Sequence, residues 1–238
     1  MTLDLFADPI LVITAHPDDI EAHCAGTVAR LIEQGKQVSY VLATSGNRGT
    51  SDPTMTADRL TELREAEQRA AAGVVGVTEI RFLRYDDGDL AFHVPHLRAD
   101  FTRLMRHYRP RTVITHDPFP GNGSHDSCSV YPDHTTVGMT AFQAAYLRAP
   151  SPLCEPEQIA NGLLLHKVDM LMLIMSGAPD VFVDIESVFE RRMAALQQHV
   201  TQGRHRREVQ PFFYQVAHQL GARGGYRLAE GFRQLPPT

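Results

Sequence analysis

The 238-residue sequence contains no tryptophan and only three cysteines, Cys24, Cys128 and Cys154, widely spaced and with no C-x-x-C pair. An odd, scattered set excludes a disulfide framework and a cysteine-rich zinc knuckle, and it makes the reducing cytoplasm the expected compartment. Long apolar runs are missing as well. Met170 to Met175, the longest late stretch, falls far short of the roughly 20 residues of a membrane helix. The first residues carry Asp4 and Asp8 where a signal peptide carries Lys or Arg. There is no basic excess: 23 Lys and Arg against 28 Asp and Glu leave a net charge of −5, which argues against a broad nucleic-acid surface. No G-x-G-x-x-G follows the first apolar run, so a dinucleotide-dependent oxidoreductase is disfavoured. Histidine, in contrast, is plentiful, with twelve residues.

Hydrophobic residues at 43% and charged residues at 21% are those of a globular protein, and the length suits one domain over residues 1–238. Ile10–Thr14 is a continuous apolar run of strand length. Residues 21–34 have helical spacing and stop at Gly35. A strand over 37–43, a helix over 57–72 ending at Gly73, a strand over 79–83, a helix over 96–107 and a strand over 112–115 follow. A helix from Pro132 to about Leu147, strands over 168–174 and 181–184 and a helix over 187–200 complete the pattern. Strands alternating with helices, and strands without polar alternation, predict a doubly wound, Rossmann-like three-layer αβα fold with a mostly parallel sheet. Such sheets bind ligands beyond the C-terminal ends of their strands.

Two segments lie at such ends: Ala15-His16-Pro17-Asp18-Asp19-Ile20-Glu21 after the first strand, and Tyr131-Pro132-Asp133-His134 after the loop that follows Thr112–Thr115. Hydrolytic zinc takes three ligands from His and Asp or Glu and leaves one position open. His16 and Asp19, three residues apart around a proline turn, can converge on one ion, and His134 is the best third ligand. Asp18 is then a spare carboxylate placed to act as base toward the attacking water. The chemistry is metal-assisted hydrolysis of an amide or ester, although the ligand types also suit a phosphoesterase. A simpler role also exists for Asp18, Asp19 and Asp133, as caps of helix N-termini.

The sequence resembles the PIG-L/LmbE-like zinc-dependent de-N-acetylases, which carry A-H-P-D-D-x-E after the first strand and a later H-P-D-H. Gly26-Thr27, the loop Thr44–Thr50, Arg64-Glu65-Ala66-Glu67, Asp87-Gly88 and His199-Val200-Thr201-Gln202 are similar to further family motifs. The resemblance implies a metal-dependent amidase that removes an N-acetyl group from an amino sugar or its conjugate. It implies Zn2+ or another divalent metal on His16, Asp19 and His134, with Asp18 as general base. Arg64 and Asp87 would line the substrate pocket, binding sugar hydroxyls or phosphate, and His116 would contact substrate or support the ligands from behind. The implied partner is a small amino-sugar conjugate, with no nucleic acid and no membrane span; a homo-oligomer is compatible with the sequence.

Tyr131 stands where the family has the first His of H-P-D-H, which acts on the oxyanion or the leaving amine and is oriented by the following Asp. A tyrosine hydroxyl can donate to an oxyanion, but its unperturbed pKa near 10 makes it a different acid. The alternative reading is therefore a non-catalytic metal- or sugar-binding homologue on the same scaffold. His125 is another group within reach of the site, and His23 is near it; Cys128 suggests only a weak H-x-x-C. Asn47 replaces a usual acidic residue and Ala25 a usual Gly. Arg191-Arg192 replace a usual Lys and read as an exposed helix face, and Arg204-His205-Arg206-Arg207 reads as a solvated basic loop.

Overall fold

The computed structural model describes residues 2–119 and 131–236; His125 and Cys128 lie outside them. Strand β1 (Ile10–Thr14) is buried along its whole length. It pairs in parallel with β2 (Val38–Thr44) on one side and β4 (Thr112–His116) on the other. Both of its faces are covered, so an uninterrupted apolar run is what the position requires. Val12 faces an apolar layer with Val28, Leu31, Tyr40 and Phe232. Leu11 and Ile13 face a second layer with Phe101, Met105 and Val137.

The remaining elements are helices α1 (Asp19–His23), α2 (Ala25–Glu33), α3 (Ala57–Val75), α4 (Val94–Tyr108), α5 (Pro132–Gln143), α6 (Pro156–Ala160), α7 (Phe189–Leu196) and α8 (Gln210–Gly224). The other strands are β3 (Glu79–Tyr85), β5 (Met170–Ile174), β6 (Val181–Asp184) and β7 (Ala229–Leu235). The sheet order is β3-β2-β1-β4-β5-β7-β6. Only β7 runs against its neighbours, antiparallel to β5 and β6. The expected α/β class and mostly parallel sheet are therefore observed. Among the described residues, no helix is long and apolar enough to cross a membrane.

Several boundaries differ from the sequence pattern, each for a physical reason. The single helix expected over 21–34 is broken at Cys24, whose φ is −147°. Its second half is capped from a distance: the Glu230 carboxylate on β7 accepts from Gly26 N–H at 2.9 Å and Thr27 N–H at 2.6 Å. Helix α3 passes through Gly73, where added bulk would meet nothing, and stops at Gly76, which takes φ +101°. Helix α5 gives way after Gln143 to a wider π-helical turn over Ala144–Arg148. Helix α8 and strand β7 were not expected at all. Strand β7 reads Ala-Glu-Gly-Phe-Arg-Gln-Leu, because its Glu and Arg have buried partners elsewhere in the fold.

The chain leaves β1 toward β2 and β3, then returns to place β4 on the opposite side of β1. This reversal opens a crevice above the ends of β1 and β4, where open α/β sheets bind ligands.

Candidate functional site

His16 lies two residues beyond β1, His116 ends β4, and His134 lies in the first turn of α5, so the crevice gathers all three imidazoles. His16 Nδ1 is 3.1 Å from His134 Nε2. Asp19 joins them, with Oδ1 3.4 Å from His134 Nε2 and Oδ2 3.7 Å from His16 Nδ1. The Asp19 carboxylate is itself held by the His16 backbone N–H at 2.8 Å, which closes the turn around Pro17.

The donor set fits a divalent metal. The opposite edge of His16 faces carboxylates: Nε2 lies 3.2 Å from Asp133 Oδ2 and 3.0 Å from Asp87 Oδ1. That nitrogen therefore carries the proton, and Nδ1 presents its lone pair to His134. Two ring nitrogens facing each other at 3.1 Å, beside a carboxylate, need a cation or proton between them. Separations of 3.1 to 3.7 Å also bracket the edge of about 3.3 Å that tetrahedral bonds of about 2.0–2.1 Å imply. His16, Asp19 and His134 are all buried and form one convergent ligand group; His16, Asp87 and Asp133 form another around the opposite nitrogen.

Asp133 is fully buried, and its two oxygens accept from Gly88 N–H at 2.7 Å and Leu90 N–H at 3.3 Å. It thus orients His16, in the manner of a carboxylate behind a metal-bound imidazole. This corrects two expectations. Asp133 does not cap its own helix, and its carboxylate is turned to His16, Gly88 and Leu90 instead of orienting residue 131. Asp87, expected among sugar contacts, shares the His16 Nε2 edge with it. Burial alone would raise the Asp87 pKa, but the hydrogen bond from His16 and the nearby positive charges leave it lowered. Burial likewise opposes a charged His16, yet the hydrogen bonds to Asp133, Asp19 and Asp87 leave its pKa well above the usual value.

His116 is 1% exposed and stacks flat on His134, with ring centroids 4.3 Å apart. Its Nε2 accepts from Ala15 N–H at 3.1 Å and lies 3.2 Å from Asp19 Oδ2. Burial, helped by the charge of His134, brings its pKa down to about 4, so it is a neutral ring supporting the ligands. Gly138 permits this packing: α5 lies so close to β4 there that a Cβ would collide with the His116 carbonyl.

Asp18 occupies the left-handed region at φ 98° and makes no side-chain cap to α1, so its capping role is not realised. The surrounding structure fixes that unfavourable backbone. Its N–H donates to Gln68 Oε1 at 3.1 Å, Gln68 Nε2 donates to Glu21 Oε1 at 2.9 Å, and His199 Nε2 lies 3.1 Å from Glu21 Oε2. Arg64, four residues before Gln68 on the same face of α3, donates to Pro17 O at 2.6 Å and Gly46 O at 3.1 Å. Its Nη2 is 3.6 Å from Asp18 Oδ1. The guanidinium lies against the loop backbone so closely that a Cβ at Gly46 or Gly49 would strike it. Arg64, expected to bind sugar, therefore grips both motif loops. Asp18 Oδ2 accepts from Arg204 Nε at 2.8 Å, so the basic loop is not merely solvated.

Tyr131 stands at the rim, 46% exposed, with its ring centroid 5.8 Å from His16 and 5.6 Å from His134. Arg192, expected on an exposed face, is 1% exposed; it pairs with Glu230 at 3.1 Å and donates to the Ala22 carbonyl. Asp133, Glu21, Gln68, His199 and Arg204 were given no such roles by the sequence. Glu21, Asp133 and His199 did carry a signal, since each lies within a quoted motif.

Residues 11–145, more than half of the chain, match the PIG-L family, described as GlcNAc-PI de-N-acetylase. The chain is 29% identical over 232 residues to a diacetylchitobiose deacetylase of Thermococcus kodakarensis, covering 95% of this chain and 83% of the relative. It is 30% identical over 198 residues to a probable N-acetyl-alpha-D-glucosaminyl L-malate deacetylase 2 of Bacillus cereus, covering 81% and 83%. Among solved structures, the N,N'-diacetylchitobiose deacetylase of Pyrococcus horikoshii superposes with a TM-score of 0.87 at 28% identity, over 95% of this chain and 83% of that one. With a motif-borne His/Asp ligand group at the sheet's reversal, the chain belongs to the PIG-L family of metal-dependent deacetylases, hydrolases of an N-acyl amide bond.

Proposed function

We propose that residues 1–238 act as one zinc-dependent deacetylase domain that releases acetate from a small N-acetylglucosamine conjugate. The observation that carries this reading is the convergence of His16, Asp19 and His134, with the Asp18 carboxylate, next to Asp19 in the chain, held by Arg64 and Arg204. The relatives named above act on N-acetylglucosamine compounds, which supports the substrate class. An acidic chain whose described cysteines, Cys24 and Cys154, are unpaired suits a reducing cytoplasm.

His16, Asp19 and His134 would hold the metal, which when bound polarises the amide carbonyl and acidifies the attacking water. Asp18 takes that water's proton on its carboxylate. With Oδ2 hydrogen-bonded by Arg204 at 2.8 Å, Oδ1, 3.6 Å from Arg64 Nη2, is the less tightly held oxygen for this task. The same proton returns to the amide nitrogen as the C–N bond breaks, and the remaining hydroxyl proton of the acid passes to the amine, leaving acetate and an ammonium group. Tyr131, at the rim against the His16 and His134 rings, presents a hydroxyl in place of imidazole to the developing oxyanion. Asp133 and Asp87 keep the proton on His16 Nε2 and so keep Nδ1 free to ligate.

The test pairs metal analysis with acetate release from a panel of N-acetylglucosamine conjugates. One divalent metal per chain is expected in the native protein and none in His16→Ala. Asp18→Ala should retain the metal and lose turnover by about 10²–10⁴-fold. Full activity in Asp18→Ala would refute the base assignment.

A further inference from the structure

The loop after α7 is strapped across the site. His199 lies 3.1 Å from Glu21; Thr201 donates from N–H and Oγ1 to Glu67 at 2.8 and 2.7 Å; Gln202 Nε2 donates to Gly49 O at 2.9 Å. Gly203 turns the chain with φ +68° and delivers Arg204 to Asp18. The Arg204 guanidinium also lies over the Phe213 ring, 5.5 Å from its centroid. Its side chain is 34% exposed, and neither Nη donates to a described residue. One edge of this cation is therefore fixed on the base, and its terminal donors are free of partners among the described residues.

Resting on the deacetylase reading above, we propose that Arg204 contacts substrate and selects amino-sugar conjugates that bear an acidic group, a carboxylate or phosphate. The carboxylates of Asp18, Asp19, Asp87 and Asp133 are offset deeper in the crevice by Arg64 and the proposed metal, whereas at the strap Arg204 is the cation that meets an anionic conjugate. Arg204 presents the planar donor pair that matches such an anion. A neutral sugar gains nothing from it, and Arg204 even hinders the reaction on a neutral sugar. When Asp18 takes the proton of water, Arg204 loses its counter-charge. An acidic substrate group on the Nη donors replaces that charge at this moment. The contact is thus stronger after proton transfer than before it, which raises kcat as well as lowering KM.

The test uses metal-loaded protein and three probes: N-acetyl-alpha-D-glucosaminyl L-malate, N-acetylglucosamine 1-phosphate and neutral diacetylchitobiose. An acidic probe should exceed the neutral one in kcat/KM by about tenfold, the worth of one charge-assisted hydrogen bond, with part of the gain in kcat. Arg204→Gln should bring that ratio near one, and Arg204→Lys should retain more of it than Gln. Whichever acidic probe loses its advantage in Arg204→Gln identifies the group as carboxylate or phosphate. A wild-type preference for the neutral probe, or a ratio unchanged in Arg204→Gln, overturns the proposal. Should the wild type release acetate from none of the probes, the deacetylase reading fails. Calorimetric affinities for the same probes then decide the role of Arg204: tighter acidic binding that is lost in Arg204→Gln supports it, and equal binding overturns it.

Discussion

At the scale of single residues, His16 is the pivot, because its two nitrogens face different chemistries. Nδ1 points to His134 and Asp19, while Nε2 is divided between Asp87 and Asp133. Asp133 has no freedom to serve otherwise, being pinned by two backbone N–H groups. Asp133→Asn should keep those contacts in part but weaken the acceptor behind His16. Its metal dissociation constant is expected to rise about 10–100-fold, read by competition with a coloured chelator, with the fold preserved by circular dichroism. Unchanged affinity would show that Asp87 alone sets the tautomer.

At the scale of elements, the site depends on how closely α5 approaches β4. Gly138 is the contact point, and a methyl group there would meet backbone rather than a movable side chain. Gly138→Ala should therefore push α5 outward, taking His134 with it. A loss of about 1–3 kcal/mol in denaturant unfolding, accompanied by weaker metal binding, is the expected outcome. The sequence indicated which elements exist where apolar residues ran without interruption, as in β1 and β4, and where helix-forming Ala, Glu and Arg gathered, as in α3. It pointed to the candidate ligands His16, Asp19 and His134, which the structure brings together, because they sit in two short motifs at strand ends. The break at Cys24 was hidden, since the group that caps α2 lies about two hundred residues away on β7. The role of Gln68 was hidden for a similar reason: its amide joins Asp18 to Glu21 only once α3 packs against α1. Buried charge was the other blind spot. Arg192 reads as a surface residue until Glu230 and the Ala22 carbonyl are seen beneath it.

At the scale of the whole molecule, pH acts on stability through the buried His199–Glu21 pair. Burial disfavours the charged His199, but the hydrogen bond and charge of Glu21, helped by Asp18 and opposed by Arg64, leave its pKa raised. The unfolded imidazole titrates near pH 6.5. The pair's contribution is therefore complete below about pH 6.5 and is lost as pH climbs through the folded value. The difference in Tm between wild type and His199→Gln should shrink between about pH 6 and pH 8. A constant difference across that range would mean that His199 is neutral in the fold.

The position of β7 bears on how the protein is made. The last strand enters the sheet between β5 and β6, both of which leave the ribosome earlier. A nascent chain that has not yet released residue 235 has a gap in its sheet and an uncapped α2. Synthesis from the N-terminus thus makes the candidate ligands His16, Asp19 and His134 long before the strand that closes the sheet and caps α2.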